Sequence, residues 1–205
     1  SKILIVGDVM LDKYYFGKVD RISPEAPVPI VNIQKEESRL GGASNVANNI
    51  VSLGGHSLLC GVIGHDLFGK EIERISRHKN IDTFLLKTSS PTITKARIIG
   101  GKQQIVRVDY EDKSELNADN KKLFRDTISR ILPEYDILVI SDYGKGLISE
   151  DLCRYLIKLA HKYDKKVIID PKGKNWEKYS GADIVTPNVK ELSDIVGYTV
   201  PNTDR

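Results

Sequence analysis

The chain has 205 residues, of which 40% are hydrophobic and 29% are charged, a composition typical of a soluble protein with one substantial core. Its formal net charge of +3 is too small to argue for a nucleic-acid partner. No apolar run approaches the length that crosses a bilayer, and the amino terminus becomes acidic too early for a signal peptide. Together with two cysteines in apolar surroundings, which fit reduced thiols, these features predict a cytoplasmic protein without a membrane partner.

The first predicted element is a buried strand at residues 2–7, where Ile, Leu and Val precede a glycine. Asp8 and Asp12 follow it. In open parallel sheets, ligands bind beyond the carboxyl ends of the strands, and a carboxylate can accept two hydroxyl hydrogen bonds. Asp12 therefore fits recognition of a polyhydroxyl ligand, whereas capping of a turn is the better interpretation of Asp8.

Two segments interrupt the strand and helix pattern that the rest of the chain follows. Residues 13–37 contain three prolines and a run of aromatic residues. Residues 92–110 alternate apolar and polar residues around a pair of glycines at 100 and 101, which predicts a β-hairpin. We interpret both segments as inserts between elements of the main sheet. A decorative surface hairpin is the alternative interpretation.

A pair of glycines, Gly41 and Gly42, immediately precedes a helical pattern. Because glycine has no Cβ, a ligand can approach the backbone closely there. Free N–H groups at the start of a helix, together with its dipole, favour an electronegative ligand. Asn45 lies in the first turn and can both donate and accept hydrogen bonds. A glycine turn that enters an ordinary amphipathic helix is the alternative.

Further strands are predicted later in the chain, at residues 58–63, 137–141, 166–170 and 183–186. Apolar residues at helical spacing, such as those between 152 and 160, lie between the later strands. Strands that alternate with helices predict a mostly parallel sheet covered on both faces. Asp142 follows one of these strands, and therefore lies at the edge where ligands bind.

The last pattern is Asn188-Val189-Lys190-Glu191, which follows the strand at 183–186. Asn188 can cap a helix with Glu191 three residues on, so a simple capping box explains the pair locally. Lys145 and Lys172 lie on glycine-containing loops at the same edge of the sheet. Their ammonium groups could neutralise phosphate charge, although most lysines are merely solvated.

Four blocks of this sequence resemble the ribokinase-like (PfkB) carbohydrate kinases. The run from Gly41 to Asn45, with later glycines, resembles the first family signature. Residues 21–31, 142–146 and 170–173 are similar to the heptose-phosphate kinases of bacterial lipopolysaccharide precursor synthesis. The likeness covers nearly the whole chain in family order. It implies a three-layer, Rossmann-type α/β fold with a mostly parallel sheet, and a small β-sheet lid built from the two inserts.

The resemblance also implies an activity, namely ATP-dependent phosphorylation of D-glycero-β-D-manno-heptose 7-phosphate at O1, with Mg²⁺. The substrate-binding residues would be Asp12, Gly41, Gly42, Asn45, Arg107, Asp142 and Lys172. The nucleotide and its phosphates would be bound by Lys145, Asn188, Val189, Lys190 and Glu191, with Glu191 contacting the metal through water. The lid would also form a homodimer.

The substrate phosphate requires a cation, and the lid hairpin offers Lys95, Arg97 and Arg107. Arg107 is favoured over Lys95 because a guanidinium can bind phosphate through two donors. An exposed pair with Asp109 or Glu111 is the alternative for Arg107.

One element of the resemblance is missing from these 205 residues. In this family the catalytic base is an aspartate in a late Gly-Ala-Gly-Asp motif, and this sequence does not contain that motif. The chain therefore resembles the amino-terminal portion of a kinase domain whose base lies beyond residue 205. Three interpretations stay open: a heptose kinase, a related kinase of another sugar, and a non-catalytic fragment that binds sugar or dimerises.

Overall fold

The structure is a computed structural model that describes residues 1–112 and 114–201. Its strands are β1 (Lys2–Gly7), β2 (Val9–Ile22), β3 (Pro29–Gly42), β4 (His56–Gly64), β5 (Asp82–Thr88), β6 (Thr94–Gly100), β7 (Gln103–Tyr110), β8 (Ile137–Ser141), β9 (Lys166–Asp170) and β10 (Ile184–Val185). Its α-helices are α1 (Ala43–Ser52), α2 (Leu67–His78), α3 (Ala118–Ile131), α4 (Glu150–Lys162) and α5 (Val189–Val196). Single 3-10 turns occur at Leu132–Glu134 and Glu177–Tyr179.

The main sheet has the spatial order β10-β9-β8-β1-β4-β5, and all its neighbouring strands are parallel. Successive residues of a strand point to opposite sides of the sheet. Helices pack against the side chains on both faces. Leu4 and Val6 of β1 pack with Phe124 of α3, whereas Ile5 packs with Ala47 of α1 on the other face. The predicted three-layer α/β fold is confirmed.

A second, smaller sheet has the order β3-β2-β6-β7. We call it the lid sheet. Strands β2 and β3 pair in antiparallel register, β2 and β6 are parallel, and β6 and β7 form the hairpin expected around Gly100 and Gly101. Gly101 adopts φ of 63°, a conformation that suits glycine in a tight turn. The paired strands extend over residues 9–42, which is further toward the main sheet than the segment 13–37 predicted from sequence.

The last predicted strand is shorter than expected. Only Ile184 and Val185 pair with β9, whereas the sequence pattern covered residues 183–186. The flanking residues still attach to the sheet, because the Asp183 N–H donates to the Val167 carbonyl and the Thr186 N–H donates to the Ile169 carbonyl.

Across residues 1–112 and 114–201, the helices are all too short or too polar to cross a membrane.

Candidate functional site

A cleft of about 620 Å³ opens between the lid sheet, the start of α1 and the loop that follows β8. Four of the residues predicted to bind a ligand line it: Asp12, Gly41, Gly42 and Asn45. Two cations of the lid sheet, Lys95 and Arg97, lie beside Asp12 on the same wall of the cleft, and Tyr143 reaches it from the loop after β8. The site thus combines one exposed lid face with one edge of the main sheet.

The two glycines at the cleft are required by close packing. A Cβ on Gly41 would lie 2.5 Å from the Asp12 Oδ2 atom and 2.9 Å from Met10 Cγ. Gly42 has φ of 54°, and a Cβ there would lie 2.4 Å from the Asp8 carbonyl oxygen. Both positions therefore exclude larger residues, and they bring the backbone at the start of α1 to the cleft surface.

The amino terminus of α1 has no side-chain cap from the described residues. Gly42 is the N-cap residue, and the Ala43 N–H donates to the Asp8 carbonyl at 3.0 Å. Asn45 in the first turn is exposed and lines the cleft. The helix start therefore offers backbone donors and one exposed amide to a ligand, as the sequence pattern predicted.

Asp12 lies inside the lid sheet, not at the end of β1 where the sequence pattern placed it. Its Oδ1 atom accepts a hydrogen bond of 2.6 Å from Arg97 Nη1, and both side chains are about one-fifth exposed (22% and 21%). The guanidinium groups of Arg97 and Arg39 lie 5.1 and 5.0 Å from the centre of the Tyr14 ring. Two guanidinium groups therefore lie near the Tyr14 ring, and the carboxylate of Asp12 is bonded to one of them.

Asp142 has partners other than those predicted. It is 2% exposed and does not line the cleft. Its Oδ1 atom accepts from the Gly144 N–H at 2.7 Å, and its Oδ2 atom accepts from the Tyr179 hydroxyl at 2.7 Å and from Lys178 Nζ. Both oxygens of Asp142 are therefore bonded within the protein, and its side chain does not face this cleft.

Tyr143 is a cleft residue that the sequence analysis missed. Its ring lies 6.0 Å from the Lys95 ammonium of the lid sheet, and the Asp170 carboxylate at the end of β9 is near enough to contribute to its raised pKa. Desolvation is the main cause that raises the pKa of Tyr143, followed by the charge of Asp170. Tyr143 therefore bridges the lid sheet and the main sheet across the cleft.

The predicted capping box is present at the start of α5. The Glu191 N–H donates to Asn188 Oδ1 at 2.9 Å, and the Asn188 N–H donates to Glu191 Oε2 at 3.1 Å. The other Glu191 oxygen accepts from Lys172 Nζ at 3.0 Å. Desolvation, and then the charge of Glu191, raises the pKa of Asp170. Val189 lies in the exposed first turn of α5, next to this group.

Two predicted phosphate ligands lie away from the cleft. Arg107 is half exposed and binds both oxygens of Asp109, at 2.8 and 3.0 Å, which is the alternative that the sequence left open. Lys145 pairs with Glu111 and lines a smaller cavity of about 230 Å³. Neither Arg107 nor Lys145 lines the cleft, whereas Lys95, Arg97 and Arg39 do.

Comparison with known proteins gives consistent results. A profile described as pfkB family carbohydrate kinase matches residues 1–204. Bifunctional protein HldE of Helicobacter pylori (strain P12) is 48% identical over 194 residues, which are 94% of this chain and 42% of that protein. D-beta-D-heptose 7-phosphate kinase of Bordetella bronchiseptica is 45% identical over 198 residues, 96% of this chain and 62% of that protein. The chain spans less than two thirds of the length of these relatives.

Solved structures show the same fold at low sequence identity. A possible 1-phosphofructokinase from Thermotoga maritima has a TM-score of 0.76 and 21% identity, with coverage of 100% of this chain and 66% of that one. The tetrameric inhibited form of phosphofructokinase-2 from Escherichia coli has a TM-score of 0.74 and 21% identity, with coverage of 99% and 66%. The fold is therefore ribokinase-like, with a parallel central sheet and a small second sheet.

Proposed function

Because this chain belongs to the pfkB family of carbohydrate kinases, we propose that its cleft binds D-glycero-β-D-manno-heptose 7-phosphate. We propose further that the whole protein transfers the γ-phosphoryl group of ATP to O1 of this sugar, giving the 1,7-bisphosphate. This reaction would supply precursors of the lipopolysaccharide core in the cytoplasm. The name of the Bordetella bronchiseptica relative, which is 45% identical, supports the heptose over other sugars.

The observation that carries the proposal is the pairing of Asp12 with Arg97 beside the glycine pair at 41 and 42. A carboxylate with one-fifth of its surface exposed can accept hydroxyl hydrogen bonds, and Asn45 can add donors and acceptors. The backbone at Gly41 and Gly42 lets a sugar approach the start of α1 closely. This combination suits a polyhydroxyl ligand better than an apolar one.

The phosphate of the substrate would be bound by cations of the lid sheet. Lys95, Arg97 and Arg39 line the cleft, whereas Arg107 does not. Arg97 is paired with Asp12 and Arg39 with Glu37, and no ion pair is recorded for Lys95 among the described residues. A phosphate dianion near Lys95 would therefore form a new ion pair without breaking an existing one. This assignment replaces Arg107 as the favoured phosphate ligand.

The nucleotide would lie at the carboxyl edge of β9 and β10. Asn188, Val189, Lys190 and Glu191 form the start of α5, whose N–H groups favour phosphate oxygens. A Mg²⁺ ion bound largely through water and nucleotide phosphates would lie near Asp170 and Glu191, and the charge of Glu191 contributes to the raised pKa of Asp170. Such an ion would neutralise charge on the transferred phosphoryl group.

We propose that the proton of the O1 hydroxyl is taken by a base outside these 205 residues, since they contain no Gly-Ala-Gly-Asp motif. Phosphoryl transfer depends mostly on positioning and on charge stabilisation, and a base adds typically about 10²- to 10⁴-fold. If the chain binds the sugar phosphate but forms no ADP, the result agrees with a sugar site inside these residues and a base outside them. Steady ADP formation by the chain alone, dependent on heptose 7-phosphate, would contradict it.

The test of the binding site is the substitution Asp12→Asn. Asparagine keeps the size of the side chain but replaces one acceptor with a donor, so one sugar hydroxyl is left poorly matched. We expect calorimetry to show weaker binding of heptose 7-phosphate by about 1–3 kcal/mol. Asp136→Ala, at the opposite end of the main sheet, is the control and should bind normally. An unchanged dissociation constant for Asp12→Asn would refute the proposed site, and binding of ribose or fructose 6-phosphate in preference would favour the related kinase.

We also propose that the lid sheet pairs with that of a second copy. Val106, Val108 and Tyr110 of β7 are 44%, 39% and 45% exposed, and alternation places them on one face of the lid sheet. Exposed apolar patches of this kind favour association. Val106→Lys should therefore yield monomers in light scattering. Gln104→Lys is the control, because it adds the same charge to the same strand. Gln104 pairs with Ile99 beyond a β-bulge, and this variant should not change the assembly. A monomeric parent at high concentration would exclude the pairing.

A further inference from the structure

Three consecutive backbone N–H groups in the loop after β8 donate to buried carboxylates. The N–H groups of Tyr143 and Lys145 donate to Asp8 Oδ2 at 2.8 and 3.1 Å. The Gly144 N–H between them donates to Asp142 Oδ1 at 2.7 Å. Gly144 has φ of 64°, and successive N–H groups around such a residue form a concave site for anions. Here the anions are two side chains of the protein itself.

Asp8 connects this loop to a distant part of the chain. It is separated by 135 residues from Tyr143, and it lies between β1 and β2, where the chain passes from the main sheet to the lid sheet. The side chain is 2% exposed, and desolvation is the main cause that raises its pKa. The two N–H donors oppose that rise. Burial of a carboxyl group is costly unless it is hydrogen-bonded, so these two bonds are needed to keep it there.

The loop that Asp8 binds carries Tyr143 into the cleft. The Tyr143 ring has the Lys95 ammonium of the lid sheet over it at 6.0 Å. The position of this ring depends on the backbone at residue 143, which is bonded directly to Asp8. A change at Asp8 should therefore be felt in the cleft, although Asp8 does not line it.

We propose that Asp8 is a positioning residue for sugar-phosphate binding, which acts by holding the Tyr143 backbone so that the ring contacts Lys95. Asp8 does this as a hydrogen-bond acceptor and not as a charge that touches the ligand. The statement about the ligand rests on the proposed function, whereas the statement about the loop does not.

The first experiment needs no ligand. Amide hydrogen exchange at Tyr143, Gly144 and Lys145 is measured by NMR in the chain with Asp8→Ala and with Asp8→Asn. The alanine variant should exchange at least about tenfold faster at Tyr143 and Lys145, with a smaller change at Gly144, which Asp142 holds. Asparagine can place its carbonyl oxygen where Oδ2 lies, so Asp8→Asn should keep most of the protection.

A matched control removes a carboxylate that binds one backbone N–H elsewhere. Asp136 Oδ2 accepts from the Lys2 N–H at 2.8 Å, far from the cleft. Asp136→Ala should leave exchange at residues 143–145 unchanged. If Asp8→Ala does not fold, the exchange rates measured in Asp8→Asn alone decide whether the proposal holds. Loss of protection at Tyr143 and Lys145 in the asparagine variant overturns the proposal, because the charge and not the acceptor would then be required.

The second experiment measures binding of D-glycero-β-D-manno-heptose 7-phosphate by calorimetry. Asp8→Ala and Tyr143→Ala should each weaken binding about tenfold, and the double variant should be no weaker than Tyr143→Ala. Asp8→Asn should bind within about threefold of the parent chain. Additive losses in the double variant would show that Asp8 acts independently of Tyr143, and would overturn the proposal. If the parent chain binds no heptose 7-phosphate, the proposed function fails, whereas the exchange experiment still decides how Asp8 acts on the loop.

Discussion

The main sheet and the lid sheet place their polar residues in opposite ways. At the edge of the main sheet, in the segments that follow β1 and β8, Asp8 and Asp142 are 2% exposed and bind backbone N–H groups or neighbouring side chains of the protein. In the lid sheet, Asp12 and Arg97 are about one-fifth exposed and pair on the wall of an open cleft. The polar groups of one sheet fix the protein, whereas those of the other remain accessible to a ligand.

This difference follows from how each sheet is covered. Both faces of the parallel sheet are packed against helices, so a charge there must find partners inside the protein. One face of the lid sheet borders the cleft, so its charges stay partly hydrated and can exchange partners. We expect substitutions in the main sheet to change folding and those on the lid face to change binding.

The largest expected effect is the loss of a core aromatic. Phe124 is fully buried in α3 and packs against Phe84 at 5.8 Å between ring centres. Phe124→Ala should lower the free energy of unfolding by about 3–5 kcal/mol, because it removes apolar contacts and leaves a cavity. Val106→Ala in the lid sheet, where the side chain is 44% exposed, should change it by less than about 0.5 kcal/mol. Urea denaturation of both variants measures the contrast, and similar losses would show that the lid sheet folds as part of the same core.

A smaller effect separates two cations of the lid hairpin. Lys95 lines the cleft, whereas Arg107 is bound to Asp109. Lys95→Ala should weaken binding of heptose 7-phosphate by about 1.5–3 kcal/mol and leave binding of unphosphorylated heptose nearly unchanged. Arg107→Ala should alter neither, as expected for an exposed pair. The reverse result would restore Arg107 as the phosphate ligand, and equal losses for both sugars would mean that Lys95 supports the lid through Tyr143.

The smallest effect is a difference in pH dependence. Burial, with a contribution from Asp142, raises the pKa of Asp8, so the folded state binds a proton more tightly than the unfolded chain does. Stability from this group is therefore lost as pH rises from about 3.9 through the raised value. Hydrogen bonds from Lys35 and Arg39 lower the pKa of Glu37 on the lid sheet, so its contribution is present above about 4.3 and is lost on acidification.

The opposite pH dependences of the stability contributed by Asp8 and by Glu37 can be separated by urea titrations between about pH 3 and 7. Relative to the parent, Asp8→Asn should gain stability as pH rises, because the buried charge is absent. Glu37→Gln should lose relative stability over the same range. Parallel pH profiles for both variants would contradict the contrast between buried and exposed carboxylates.

Several features of the fold could be predicted from local sequence because they depend on local physics. The apolar runs at 137–141 and 166–170 indicated buried parallel strands, since such strands are covered on both faces. Alternation around Gly100 and Gly101 indicated the hairpin, and the spacing of Asn188 and Glu191 indicated the capping box. Each of these signals lies within a few residues of the structure that it predicts.

The partners of the charged residues could not be predicted in this way. Arg97 lies 85 residues from Asp12, and their contact depends on the parallel pairing of β2 with β6. The turn of the chain after Asp8 takes Asp12 out of the main sheet and into the lid sheet, which the first apolar run does not reveal. Tyr143 lies in the block 142–146 that carries the resemblance, but the sequence did not indicate that it reaches the cleft, because its position there comes from a loop held by Asp8 and Asp142.

The sequence by itself determined the alternation of strands and helices, the glycine pair at the start of α1 and the resemblance that led to the family. These depend on residue types at fixed short spacings. Only the tertiary structure decided which carboxylates and cations face the cleft and which bind the protein itself. These positions depend on strand pairing and burial between residues that are far apart in the chain. Arg97, Lys95 and Tyr143 line the cleft, whereas Asp142, Lys145 and Arg107 bind other groups of the protein outside it.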